Sequence, residues 1–169
     1  MKDSADVPRR IVIHTADWDA SVAIDLRDEQ QRELRDVYDG DAEPGIKPSA
    51  SDVAIFLVAY ADGADVDVAG ADSEAIGCGG LRPLTGEQAE IKRMYVRPAH
   101  RGRGVSRLIL AALERQALAG GWTDLVLETG PLQTAAICLY ETAGYRVIPN
   151  FGAYRDSPTS VCFGKTLPA

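Results

Sequence analysis

The chain has 169 residues, 46% of them apolar and 25% charged, which suits one ordinary soluble domain over residues 1–169 and is too short for two. No apolar stretch reaches the roughly 18 residues of a membrane span, and the N-terminus MKDSADVPRR lacks a signal's apolar core, so a cytoplasmic protein is expected. The net charge of −7 argues against general affinity for nucleic acid, and three cysteines (Cys78, Cys138, Cys162) without a C-x-x-C pair argue against a disulfide framework or a zinc cage.

Residues 1–8 read as a frayed end. Arg10–Thr15 is β-branched and predicts a first strand. Asp17–Tyr38 has helical composition, with Val22, Leu26, Leu34, Val37 and Tyr38 as anchors. Its uneven apolar stripe leaves open one bent helix or two. Gly40–Ser51 is a Pro/Gly/Asp-rich loop. Val53–Tyr60 is a continuous apolar run, as a buried central strand requires. Asp62–Ser73 reads as a polar turn region. Ala75–Arg82 is a strand carrying three glycines, which signal a bulge or close backbone packing. Ala89–Arg97 is a fourth strand, in antiparallel succession with the previous two.

After Pro98, Val105, Leu108, Ile109, Ala112 and Leu113 form the stripe of an amphipathic helix that ends at Gly120-Gly121. Asp124–Thr129 predicts a strand. Gln133–Ala143 predicts a helix stopped by Gly144. Tyr145–Ile148 and Ser160–Thr166 predict the last two strands. The order is β-α-(α)-β-β-β-α-β-α-β-β, a mixed α/β sheet with helices packed on it.

Charge is divided along the chain. Residues 1–90 hold 8 basic and 20 acidic residues, whereas residues 91–169 hold 10 basic and 5 acidic. The basic excess centres on Arg97–Ser106 (RPAHRGRGVS), between a strand and an amphipathic helix, with no acidic residue from 91 to 107. Gly102 and Gly104 permit positive φ and close approach of a ligand. The helix start behind them offers unpaired N–H groups and the positive end of its dipole, an arrangement suited to phosphate. Neither a Walker loop nor a complete G-x-G-x-x-G is present.

Glu90–Leu110 (EIKRMYVRPAHRGRGVSRLIL) resembles the acetyl-CoA-binding motif of the GNAT superfamily of N-acetyltransferases. The family pattern Gln/Arg-x-x-Gly-x-Gly/Ala is filled by Arg101, Gly102, Arg103, Gly104, Val105 and Ser106, with serine at the last position. A second family motif is matched by Gln133–Tyr145, with Gln133 where many relatives carry Asn. The resemblance implies a GNAT-like fold: a mostly antiparallel sheet of about seven strands flanked by three or four helices. It also implies an acetyl-CoA-dependent N-acetyltransferase acting on a primary amine by direct transfer in a ternary complex. A non-catalytic acyl-CoA-binding or regulatory module, and a protein N-terminal or lysine acetyltransferase, are the alternatives. No metal is implied.

In such a site the pyrophosphate lies on the amides of residues 101–106. The pantetheine arm pairs with the backbone around Met94, Tyr95 and Val96, and Gln133 contributes a polar contact. Tyr140 takes the place of the family's general acid, near the coenzyme sulfur. Its phenol, with an ordinary pKa of about 10, stays protonated at neutral pH. Glu90 and Glu128 compete for the role of base. Period-two alternation puts Glu90, Lys92, Met94 and Val96 on one strand face. Glu90 has a second reading as a partner of Lys92 or Arg93, and Glu128 as a partner of loop amides.

His14 and His100 are weaker candidates, and Trp18, Tyr38, Phe151 and Tyr154 are candidate acceptor-pocket residues. Asp17, Asp19, Asp25, Asp28 and Glu29 either form a rim that attracts a cationic amine or a solvated helix face. Cys138 lies about 200° around the helix from Tyr140 and faces away. The terminal VCFGKTL strand is a candidate homodimer contact.

Overall fold

A computed structural model describes residues 10–40, 45–61 and 73–168. In chain order the elements are β1 (Ile11–Thr15), α1 (Ser21–Tyr38), β2 (Ile55–Ala61), β3 (Glu74–Pro83), β4 (Gln88–Val96), α2 (Val105–Ala119), β5 (Asp124–Thr129), α3 (Thr134–Thr142), β6 (Arg146–Ile148) and β7 (Val161–Thr166). Single 3-10 turns lie at Pro98–His100 and Gly152–Tyr154. The seven strands form one sheet in the order β1-β2-β3-β4-β5-β7-β6. Only β4 and β5 run parallel, because the α2 crossover returns the chain to the same end of the sheet. Every other neighbouring pair is antiparallel. This is the GNAT-like architecture that the motifs implied.

The strands fall within two residues of their predicted bounds. The first helix starts later than expected because Asp17–Ala20 form a turn, closed by the Ala20 N–H donating to the Asp17 carbonyl at 3.1 Å. It is one continuous helix. Its uneven stripe has a cause: Ala23 and Leu26 are buried against Phe56, Val58 and Cys78 of the sheet, while the C-terminal half covers a cleft. The polar region around residues 62–72 and the loop residues 41–44 lie outside the described residues.

Two apolar clusters mark the sheet's faces. One joins Leu57, Ile76, Leu81, Ile91, Leu125, Leu127 and Phe163 to Ile109 and Leu113 of α2 and to Tyr140 of α3. The other lies under α1. The glycines of β3 serve this packing. A Cβ on Gly77 would stand 2.7 Å from the Tyr95 carbonyl oxygen, and one on Gly79 would meet Met94 Sδ, Leu113 and Ile109 within 3.1 Å.

Two expectations are corrected here. The alternation along β4 breaks at a bulge, where Cys78 opposes Tyr95 but Gly80 opposes Lys92, with Arg93 at φ 58°. The extra residue reverses the side-chain phase. Glu90 and Lys92 therefore do not share a face with Met94 and Val96, which join the α2-side cluster. The terminal strand β7 is also not an edge. It lies between β5 and β6, so both of its backbone edges are used and it cannot pair two copies as it stands.

Candidate active site

The parallel pairing of β4 and β5 ends at Ile91 and Leu127. Beyond that point the strands separate, and their facing backbone groups open onto a cleft of about 470 Å³. The bulge at Arg93 drives the divergence, since an inserted residue bends its strand and raises the local twist. The cleft runs from this opening to the glycine turn and the start of α2 on one side and to α3 on another, with the C-terminal half of α1 over it.

At the glycine turn, Gly102 and Gly104 have φ of 75° and 78°, and a Cβ on either would meet nothing within 4 Å. The requirement for glycine is thus conformational, and the space in front is open to a ligand. Gly104 is the N-cap of α2, and no side chain caps the helix. The first N–H groups of α2 are left for an anion. These features fit the pyrophosphate of coenzyme A. Arg101 is already engaged: its Nη2 donates to both Glu33 carboxylate oxygens at 2.7 and 2.9 Å, and its Nε donates to the Val96 carbonyl at 2.8 Å. Arg101, Gly102, Gly104, Val105 and Ser106 line the cleft, as do Met94, Tyr95, Val96 and Gln133. Arg103 is exposed and is not part of the lining.

Tyr140 is 5% exposed and lines the cleft from α3. Its ring packs edge-on against Tyr145 at 5.7 Å and tilted against Phe163 at 6.1 Å. Burial pushes its phenol well above the ordinary value of about 10, so it remains a proton donor throughout the neutral range.

The two glutamates are separated by their surroundings. Glu90 is 1% exposed and does not line the cleft. It accepts hydrogen bonds from Arg82 Nη2 at 2.6 Å, Arg82 Nε at 3.1 Å and the Tyr154 hydroxyl at 2.7 Å, with Lys92 Nζ at 3.6 Å. Its partners include Lys92, as one of the two sequence readings had it, and Arg82 and Tyr154, which that reading did not name. Glu128 does line the cleft, at the first position past the last β4–β5 pair. Its Oε1 accepts a hydrogen bond from Ser160 Oγ at 2.7 Å, which orients the carboxylate.

The other candidates divide similarly. Tyr38 lines the cleft, and its hydroxyl accepts from the Leu132 N–H at 3.2 Å. His100 also reaches it, 3.2 Å from Glu74 through Nε2. Trp18 packs instead on Phe56 and under the Arg27 guanidinium. Phe151 packs against Tyr154, and His14 against Tyr60. Cys138 is exposed, as its helical position predicts.

Gln30 and Gln31 were not singled out by the sequence, yet both line the cleft. Gln30 Nε2 donates to the Met94 carbonyl at 2.9 Å. The signal was present: Gln30, Leu34, Val37 and Tyr38 follow i, i+4, i+7, i+8, an interrupted stripe with a glutamine where an apolar anchor is expected.

A family profile described as an acetyltransferase (GNAT) domain matches residues 52–147. The IAA acetyltransferase of Azospirillum brasilense is 33% identical over 147 residues, covering 85% of this chain and 90% of that protein. Among solved structures, one assigned as an acyl-CoA N-acyltransferase from Klebsiella pneumoniae is 29% identical, with a TM-score of 0.76, and the match covers 93% and 97% of the two chains. A GNAT family acetyltransferase from Elizabethkingia anophelis, with acetyl-CoA bound, shares the fold at a TM-score of 0.64 and 22% identity, covering 93% and 98%. With the glycine turn, the strand separation and the second motif on the elements that such a site needs, the chain belongs to the GNAT superfamily and is an acetyl-CoA-dependent acyltransferase.

Proposed function

We propose that this protein is an N-acetyltransferase that moves the acetyl group directly to a primary amine within a ternary complex. One observation carries this reading: a single cleft joins the anion-binding start of α2 to Glu128 and Tyr140 through the opening between β4 and β5. The functional unit is one domain over residues 1–169, since both strands and all three helices that build the cleft belong to one sheet-centred body.

Acetyl-CoA supplies an acetyl group already activated as a thioester. The α2 start and the turn at residues 101–106 bind its phosphates, with Arg103 as an outer charge. The backbone at Met94–Val96 and the Gln133 amide orient the arm, in the manner of an added strand. The Gln30 bond to the Met94 carbonyl holds that stretch of β4 in place. A backbone N–H near Met94–Tyr95 stabilises negative charge on the carbonyl oxygen. Glu128, held by Ser160, accepts a proton from the amine nitrogen as the C–N bond forms. Tyr140 donates its phenolic proton to the sulfur as the C–S bond breaks. Glu90 keeps a structural role.

Direct transfer is favoured because none of the three cysteines lines the cleft. Burial also pushes the Cys78 thiol up to about 12, far from an active thiolate. All three thiols are unbridged, which suits the cytoplasm. The direct test is mass-detected acetyl transfer to a panel of amines, peptides and aminoglycosides. Transfer to at least one amine is expected. A raised melting temperature with acetyl-CoA but no acetylated product would leave the acyl-CoA-binding module as the function.

A further inference from the structure

We propose that Tyr38 is a positioning residue for acetyl-CoA. Seated in a notch left by Gly130, its hydroxyl holds the loop between β5 and α3, and so places Gln133 toward the cofactor. This rests on the cofactor contacts assigned above and adds the residue that sets one of them.

The first support is the notch. Gly130 follows β5 directly, is buried, and is not among the glycines with positive φ. Backbone conformation therefore does not call for glycine here. Space does: a Cβ on Gly130 would overlap the Tyr38 hydroxyl and stand 2.5 Å from Tyr38 Cζ. An aromatic ring from the end of α1 occupies the place that a side chain of the loop would take.

The second support is the dependence of the loop on that ring. From Pro131 to Gln133 the chain is exposed or half-buried. Apart from the Gln133 carbonyl, which opens α3, this stretch makes two hydrogen bonds among the described residues. The Gln133 N–H donates to the Gly130 carbonyl at 3.1 Å, within the loop itself. The Leu132 N–H donates to the Tyr38 hydroxyl at 3.2 Å, a tie across 94 residues of sequence. The Gln133 side chain does not cap α3, and Gln133 lines the cleft. A segment tied to the body at one point is positioned by that point. Without the tie the loop samples other conformations, and the entropy lost in ordering it weakens cofactor binding.

The third support is the helix that carries the ring. The buried residues of α1, Ala23 and Leu26, lie in its N-terminal half. The C-terminal half reaches the cofactor segments through polar contacts. Gln30 Nε2 donates to the Met94 carbonyl of β4 at 2.9 Å, and Glu33 accepts from Arg101 of the glycine turn at 2.7 and 2.9 Å. Tyr38, the last residue of the helix, makes the third such contact. From Gln30 to Tyr38 the helix rises about 12 Å, and so bridges the opening from β4 to the loop after β5. A helix fixed to β4 and to the glycine turn gives the Tyr38 ring a defined place from which to hold that loop.

The test is calorimetric titration of acetyl-CoA into parent and variants without acceptor, beside their Tm and the acceptor KM from initial rates. Tyr38→Phe should raise the acetyl-CoA Kd about three- to tenfold, the range of one net hydrogen bond, with Tm within a few degrees of the parent. Gly130→Ala, which evicts the ring, should raise it at least as much, and Tyr38→Phe should add little to Gly130→Ala. In a Gln133→Ala background Tyr38→Phe should raise the Kd by less than about twofold, because both act through one contact. Ile76→Val, a core change in β3 away from the cleft, should lower Tm and leave the Kd unchanged, which separates positioning from stability. A parent-like Kd for Tyr38→Phe, a loss confined to the acceptor KM, or full additivity with Gln133→Ala would each overturn the proposal. The expected Kd values in a protein that acetylates no amine would remove the N-acetyltransferase reading and leave this one standing. A parent that does not bind acetyl-CoA would overturn both.

Discussion

Glu90→Gln separates a structural carboxylate from a catalytic one. Glu90 bonds to Arg82 twice and to Tyr154, with Lys92 3.6 Å away, at 1% exposure. Removing one partner of a buried ion pair costs about 3–5 kcal/mol. Two features reduce that here. Glutamine keeps one acceptor oxygen, and Arg82 retains a second carboxylate, Asp52, at 3.3 Å. A loss of about 2–3 kcal/mol follows, which for a domain of this size lowers Tm by roughly 5–12 °C. The kcat of the folded enzyme should stay within about threefold of the parent. Glu128→Gln should do the reverse: Tm nearly unchanged and kcat lower by about 10²–10⁴. The deficit should narrow as pH rises, because the amine then loses its proton unaided. Calorimetric unfolding beside initial-rate kinetics on both variants decides the matter. A Glu90→Gln protein with an unchanged Tm and a collapsed kcat would refute this assignment of the two glutamates.

Tyr140→Phe should lower kcat by about 10²–10⁴ while the Kd for acetyl-CoA, measured calorimetrically, stays within about twofold. Gly104→Ala forces a Cβ into left-handed backbone at the cap of α2, at a cost of about 1–2 kcal/mol; it should lower Tm and weaken acetyl-CoA binding roughly tenfold in titration. Arg97, by hydrogen-bonding Glu29, holds that carboxyl below its usual range. Its stabilisation is therefore complete above the unfolded value of about 4.3 and fades as pH falls through the lower folded value. Glu29→Gln should reduce Tm at pH 7, and the difference in Tm between the two proteins should shrink steadily as pH falls below about 4.3 in melts across the acid range.

The positions of the elements were legible because each follows from local chemistry. Val53–Tyr60 is a continuous apolar run that suits a buried strand, and β2 (Ile55–Ala61) lies inside the sheet with a strand on each side. Gly102 and Gly104 announced a turn in the left-handed region, and both adopt it. Nine of the ten residues named for the cofactor line one cleft because they sit in two contiguous motifs, where spacing alone carries them to the same place. Arg103 is the one that turns outward.

The errors arose where one residue or one long-range contact outweighed the local pattern. The bulge at Arg93 reversed the phase of β4, and no sequence rule for alternation marks the position of an inserted residue. The surroundings that set Glu90 apart from Glu128, on which the proposed choice of base rests, come from Arg82 and Tyr154, the latter 64 residues from Glu90, converging on one carboxylate. Gln30 and Gln31 became cleft residues only through the packing of α1 over the divergent strands.

The opening charge division is altered by the fold as well. Local sequence was sufficient for the strands, the helices, the glycine turn and the family, since these depend on residues near one another in the chain. Which charges share the cleft was decided by tertiary structure alone. Glu29 and Glu33 are drawn to Arg97 and Arg101, and Glu90 to Arg82 and Lys92, while Glu128 stays in the cleft wall beside Ser160. Charge acts through distance, and the distances between α1, β4 and β5 exist only once the chain has folded.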